Sequence, residues 1–105
     1  MDRGVFIGAM WQYFRVYDWT ASIGLTLEER FVYSIILHFT ETGAGFYAGD
    51  KGLADRLNIP KSNCKAAVRK LQELGAIEMK TATIHNVVRK VYLATQDFID
   101  QNADD

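Results

Sequence analysis

The sequence has one cysteine, Cys64, and one proline, Pro60. A single thiol excludes a disulfide within the chain, and a reducing, cytoplasmic setting is the simple expectation. No apolar run approaches the roughly 20 residues that span a bilayer, so no membrane association is expected. Met1-Asp2-Arg3-Gly4 leads into a brief mixed segment with no small-residue cleavage site, unlike a secretory signal. The two histidines, His38 and His85, stand far apart, with no second Cys or His at ligand spacing, so no metal is expected. Gly43-Ala44-Gly45 lacks the Gly-Lys-Ser/Thr that completes a phosphate-binding loop. The carboxylates form no identifiable acid–base pair, and Cys64 falls on an apolar helix face, as an inert core thiol does. No cofactor is therefore expected, and no enzyme activity.

What is present is the balance of one folded domain: hydrophobic residues make up 49% and charged residues 24%. The net charge of −1 hides an uneven distribution. Lys51 to Lys90 holds nine basic residues and three acids, a net +6; the remainder holds three bases and ten acids, a net −7. A polyanion would dock on the first of these regions. Charge alone also fits a merely solvated surface.

Met10 to Trp19 alternates as a strand, with Trp11, Tyr13, Arg15, Tyr17 and Trp19 on one face and Phe14 and Val16 on the other. Thr26-Leu27-Glu28-Glu29 has the form of a capping box opening a helix over 27–42, stopped by Gly43 and Gly45. This helix is apolar on two sides: Phe31, Val32, Ile35, Ile36 and Phe39 on one, Tyr33 and Leu37 on the other. Either the N-terminal strand or a second subunit must cover the latter. After an extended piece at 45–49, Asp50 is expected to cap a second helix over 51–57. Asn58-Ile59-Pro60 forms the turn, and a third helix runs over 61–74, closed by Gly75. Strands at 76–79 and 87–93 flank a loop at 80–86. Thr95 is expected to cap a short helix through Phe98 and Ile99, before an acidic tail, Asp100 to Asp105. Two helices joined by a tight turn and followed by a hairpin make an α+β winged helix-turn-helix, with a three-helix core and a β-hairpin wing. The expected division is a strand extension at 1–25, the winged domain at 26–94, and a short helix with its tail at 95–105.

At 100° per residue, the third helix turns Cys64, Ala67, Val68, Leu71 and Leu74 to the core. Lys61, Lys65 and Arg69 form a stripe on the other side, with Ser62, Ala66 and Glu73 beside them and Lys70 beyond. A helix in a major groove needs short or polar residues near base edges and cations around them. Ser62, Asn63, Lys65, Ala66 and Arg69 meet that need, with Arg69 suited to a guanine and Lys61, Lys65 and Lys70 to phosphates. On the hairpin, Lys80, His85 and Arg89 are candidate DNA contacts.

The segment Gly52-Leu53-Ala54-Asp55-Arg56-Leu57-Asn58-Ile59-Pro60, continuing through Cys64, Ala67-Val68, Leu71 and Gly75-Ala76-Ile77-Glu78, resembles the helix-turn-helix of bacterial winged-helix proteins. With Gly24-Leu25-Thr26 and Gly45-Phe46-Tyr47 upstream, residues 12 to 93 resemble the N-terminal winged-helix domain of plasmid and phage replication initiators and DnaD-like replisome organisers. The resemblance implies duplex DNA binding in replication initiation, contact with other replication proteins, and dimers made through a strand-bearing extension. Such initiators usually carry a second domain beyond the wing. MarR-type regulators are a second resemblance, without their wing signature or flanking dimer helices. A transcriptional regulator, or a winged helix that binds only protein, are the alternatives. Trp11, Tyr13, Tyr17, Trp19, Tyr33 and Leu37 are the expected homodimer contact; stacking of the strand aromatics on single-stranded DNA is the competing reading, with only Arg15 as a nearby cation.

Overall fold

A computed structural model describes residues 4–9, 12–43 and 45–103, and the side chains among them from Arg15 onward. In chain order the elements are β1 (Gly4–Ala9), β2 (Gln12–Tyr17), α1 (Trp19–Ser22), α2 (Leu27–Thr42), α3 (Gly49–Leu57), α4 (Lys61–Glu73), β3 (Ile77–Ile84), β4 (Val87–Ala94) and α5 (Gln96–Asn102). The chain is α+β. Its order from α2 onward, helix, extended piece, helix, turn, helix and hairpin, is compatible with a winged helix-turn-helix.

The opening segment differs from its expected form. β1 and β2 make an antiparallel hairpin, from Gly4 opposite Tyr17 to Ala9 opposite Gln12, where one strand was expected. β2 ends at Tyr17, and Trp19 enters the one-turn helix α1. Thr20 is the reason the turn holds: its buried hydroxyl donates to the Tyr17 carbonyl and accepts from Arg30 Nε at 3.0 Å.

α2 begins where its capping box dictates. The Thr26 hydroxyl accepts from the Glu29 N–H at 3.2 Å, and the Glu29 carboxylate accepts from the Thr26 N–H at 2.9 Å. Its second apolar side is covered from within the chain. Trp19 and Phe98 meet Tyr33 edge-on at ring-centroid distances of 5.7 and 5.9 Å, and lie 6.1 Å from each other. Aromatic edge-to-face contacts of this kind add to area burial. Trp19, Tyr33 and Leu37 are thus core residues at 5%, 0% and 3% exposure, and cannot form the expected dimer contact. Tyr17 is half-buried against the same core. Trp11 lies outside the described residues, and so does the Tyr13 side chain.

α3 starts two residues earlier than expected, with Ala48 at its N-cap and no side-chain cap. Asp50 instead lies in the first turn and accepts from the Tyr92 hydroxyl at 2.9 Å, tying α3 to β4. Asn58 closes α3 with φ +55°, a region asparagine tolerates. α4 closes on a Schellman motif. Gly75 takes φ +75°, its N–H donates to Gln72, and the Ala76 N–H donates to Leu71 at 2.9 Å. Leu74, expected in the core, is the C-cap and 43% exposed.

β3 and β4 pair from Ile77 opposite Ala94 to Ile84 opposite Val87. The expected loop at 80–86 is therefore mostly strand, and the turn is His85-Asn86 alone, at φ +52° and +64°. Positive φ at both central residues is the type I′ pattern, whose twist suits a tight hairpin. Phe46 adds a third strand's worth of pairing on β4: its N–H donates to Tyr92 at 2.9 Å and its carbonyl accepts from Tyr92 at 2.8 Å. Thr95 occupies the N-cap of α5 without capping it; its hydroxyl donates to the Gly75 carbonyl at 2.6 Å.

Candidate nucleic-acid interface

α4 owes its two faces to its sequence. Cys64, Ala67, Val68 and Leu71 are buried against α2 and α3, which commits the remaining positions to solvent. Lys61, Ser62, Asn63, Lys65, Ala66, Arg69 and Lys70 are all exposed. Residues four apart on a helix advance by only about 40°, so Lys61, Lys65 and Arg69 run as one stripe along it. Among the described residues, none of Lys61, Lys65, Arg69 and Lys70 has a carboxylate within ion-pair distance; the pairs present are Lys51–Asp55 at 2.8 Å and Lys80–Glu78 at 3.4 Å. Four cations on one rigid element, none of them ion-paired among the described residues, concentrate positive potential there, offset in part by Glu73 on the same helix and Glu28 beside Asn63.

The hairpin supplies a second group. Lys80 lies opposite Val91 and Arg89 opposite Ala82, so the register puts both cations on one face, with Lys90, opposite Thr81, on the other. Lys80 carries its Glu78 partner, which tempers its charge. His85 is at the tip, exposed and in the turn itself. Exposed Val87 and Val88 stand beside it, Val88 at 71%. The base of this hairpin is fixed to the end of α4. The Thr95 N–H donates to Ala76 at 3.0 Å while its hydroxyl holds Gly75. Thr40 of α2 braces the other side, accepting from the Ala94 N–H at 2.9 Å.

Two features of this surface escape sequence reasoning. Asn63 Nδ2 donates to Glu28 Oε2 at 3.3 Å, across 35 residues of chain. Arg56 lays its guanidinium over Phe39 and Phe46, 5.3 and 5.7 Å from the ring centroids. Neither has a local spacing signal, since each depends on how separate segments of the chain pack together.

Cys64 is fully buried, and burial pushes its thiol up to about 11, so it has little nucleophilic thiolate at neutral pH. Burial and the Asp50 contact likewise raise Tyr92. Among the described residues, no three His, Cys, Asp or Glu side chains are placed to hold a metal ion, and no helix is long and apolar enough to cross a membrane.

Compared with protein families, with curated proteins and with solved structures, the chain has no significant match.

Proposed function

We propose that this domain binds double-stranded DNA, with α4 in the major groove and the β3–β4 hairpin against the backbone beside it. The observation that carries the reading is the exposed row Lys61, Lys65 and Arg69, with Lys70 beyond it, on the second helix of a helix-turn-helix and free of carboxylate partners among the described residues. Ser62, Asn63 and Ala66 are short enough to let the helix approach base edges. Arg69 contacts guanine and the lysines neutralise phosphates; Lys80, Arg89 and His85 add contacts from the hairpin. The domain acts as a binding module and not as an enzyme. The resemblance to plasmid and phage initiators and replisome organisers favours a role in starting DNA replication, together with other replication proteins. Transcriptional regulation uses the same surface and differs in the site bound. A homodimer, if formed, uses the N-terminal hairpin, since Trp19, Tyr33 and Leu37 are occupied in the core.

The test is binding to a random-sequence duplex across a salt series. Affinity should fall linearly on a log–log plot, and Lys65→Ala/Arg69→Ala should weaken binding and flatten the slope by about one, at roughly 0.9 for the phosphate that Lys65 neutralises. No binding at low salt, or binding indifferent to both substitutions, overturns the proposal in favour of a protein-binding winged helix.

A further inference from the structure

Among the described residues, Asn63 is the short polar side chain on the exposed side of α4 that is held by a partner from another element. Its Nδ2 donates to Glu28 Oε2 at 3.3 Å. Glu28 is itself well placed to hold it. It lies in the first turn of α2, which the Thr26–Glu29 capping box fixes, and it is half-buried. Unlike an isolated amide, Asn63 therefore has a defined orientation. An ionised carboxylate only accepts hydrogen bonds, so the amide nitrogen must face Glu28. The carbonyl Oδ1 and the second N–H are left for another partner.

That pair, one acceptor beside one donor, matches the major-groove edge of adenine, whose N6 donates and N7 accepts. Guanine presents acceptors at both N7 and O6, so Oδ1 would face O6 acceptor to acceptor. Held this way, the amide selects adenine and rejects guanine. Glu28 does this at a disadvantage in general affinity, because its charge repels nearby phosphates.

On the reading of α4 as a DNA-binding helix, we infer that Glu28 is a positioning residue for base recognition. It orients Asn63 to read a single adenine in the major groove, and it lowers affinity for DNA at large. Glu28 would thus set specificity from outside the recognition helix. The capping box of α2 does not depend on it, since Thr26 and Glu29 make that pair, so its replacement keeps that cap.

The experiment is selection from a pool of duplexes randomised over one helical turn, followed by measured binding to the selected duplex and to versions changed at each base pair. The whole chain is used, as wild type, Asn63→Ala, Glu28→Ala and Glu28→Gln, each checked for an unchanged thermal melt. The wild type should prefer adenine over guanine at one position by roughly 5- to 150-fold, the range of a good bidentate contact. Asn63→Ala should abolish that preference and leave the salt slope alone. Glu28→Ala should cut the preference while binding to the unselected pool stays equal or tightens, a combination that mere loss of structure does not produce. Glu28→Gln keeps an acceptor for the amide and should restore most of the preference. A wild type with no adenine position, or a preference that survives Glu28→Ala, overturns the inference while leaving DNA binding intact. A wild type that retains no duplex at low salt overturns the DNA reading, and this one with it.

Discussion

Gly45 has φ +108°, a conformation side chains rarely adopt, and a Cβ there would lie 2.6 Å from Leu93 Cδ2, 2.7 Å from Val91 Cγ1 and 2.8 Å from the Tyr92 carbonyl oxygen. The backbone oxygen cannot step aside without breaking the Phe46–Tyr92 pairing. Gly45→Ala should therefore destabilise the domain by about 2 kcal/mol or more, seen as a lower denaturation midpoint; an unchanged midpoint would show that the extended piece is not held against β4. Cys64 gives a pH-dependent counterpart. Its thiol rises from 9.0 to about 11 in the fold, so the folded state holds its proton longer than the unfolded one. The contribution is complete below about pH 9 and is lost as pH climbs toward 11. At neutral pH a thiol reagent should modify Cys64 only slowly in the native protein and at once in denaturant. Rapid native labelling would contradict the burial.

The long helices α2 and α4 were legible in the sequence; the one-turn α1, where Trp19 was expected in a strand, and the hairpins were less so. The 27–42 helix and its capping box are where the pattern puts them, because each end is signalled locally: Thr26 and Glu29 within one turn at the start, and Gly43 directly after the last residue. Strand lengths are set by pairing across the hairpin, and Lys80 to Ile84, polar and small by composition, look like loop until β4 supplies partners. The Gly4–Ala9 strand was obscured in the same way, with Gly4 and Gly8 diluting its apolar residues. His85-Asn86 is a poor match to its own geometry: both residues take positive φ, where Asn-Gly is the favoured pair. Replacing them with His85→Asn and Asn86→Gly should stabilise the domain by about 1 kcal/mol, read from urea midpoints. A loss of stability would mean that His85 makes a contact of its own.

The whole molecule is closed by its last helix. Phe98 seals the Trp19–Tyr33 cluster from the C-terminal side, a role the sequence could not reveal because it joins residues from three distant segments. Phe98→Ala should cost about 3–5 kcal/mol in stability by opening a cavity over Tyr33. If it instead cost under 1 kcal/mol, α5 would be an appendage and the face of α2 would need another cover. The basic candidates, by contrast, were readable: the stripe on α4 follows from helical period alone, whereas the Glu28–Asn63 pair required knowing how two helices meet. The hairpin beyond its base has a different, mechanical significance. It is tied at Gly75, Ala76, Ala94 and Thr95, yet from Lys80 outward its β3 side chains are exposed or half-buried. Such a ribbon is a cantilever of about five residues, or roughly 17 Å at 3.4 Å per residue. A 10° tilt at the root would swing His85 sideways by about 3 Å over that same reach. On the proposed DNA-binding reading, such a tip would follow duplexes of differing curvature while α4 stays in the groove.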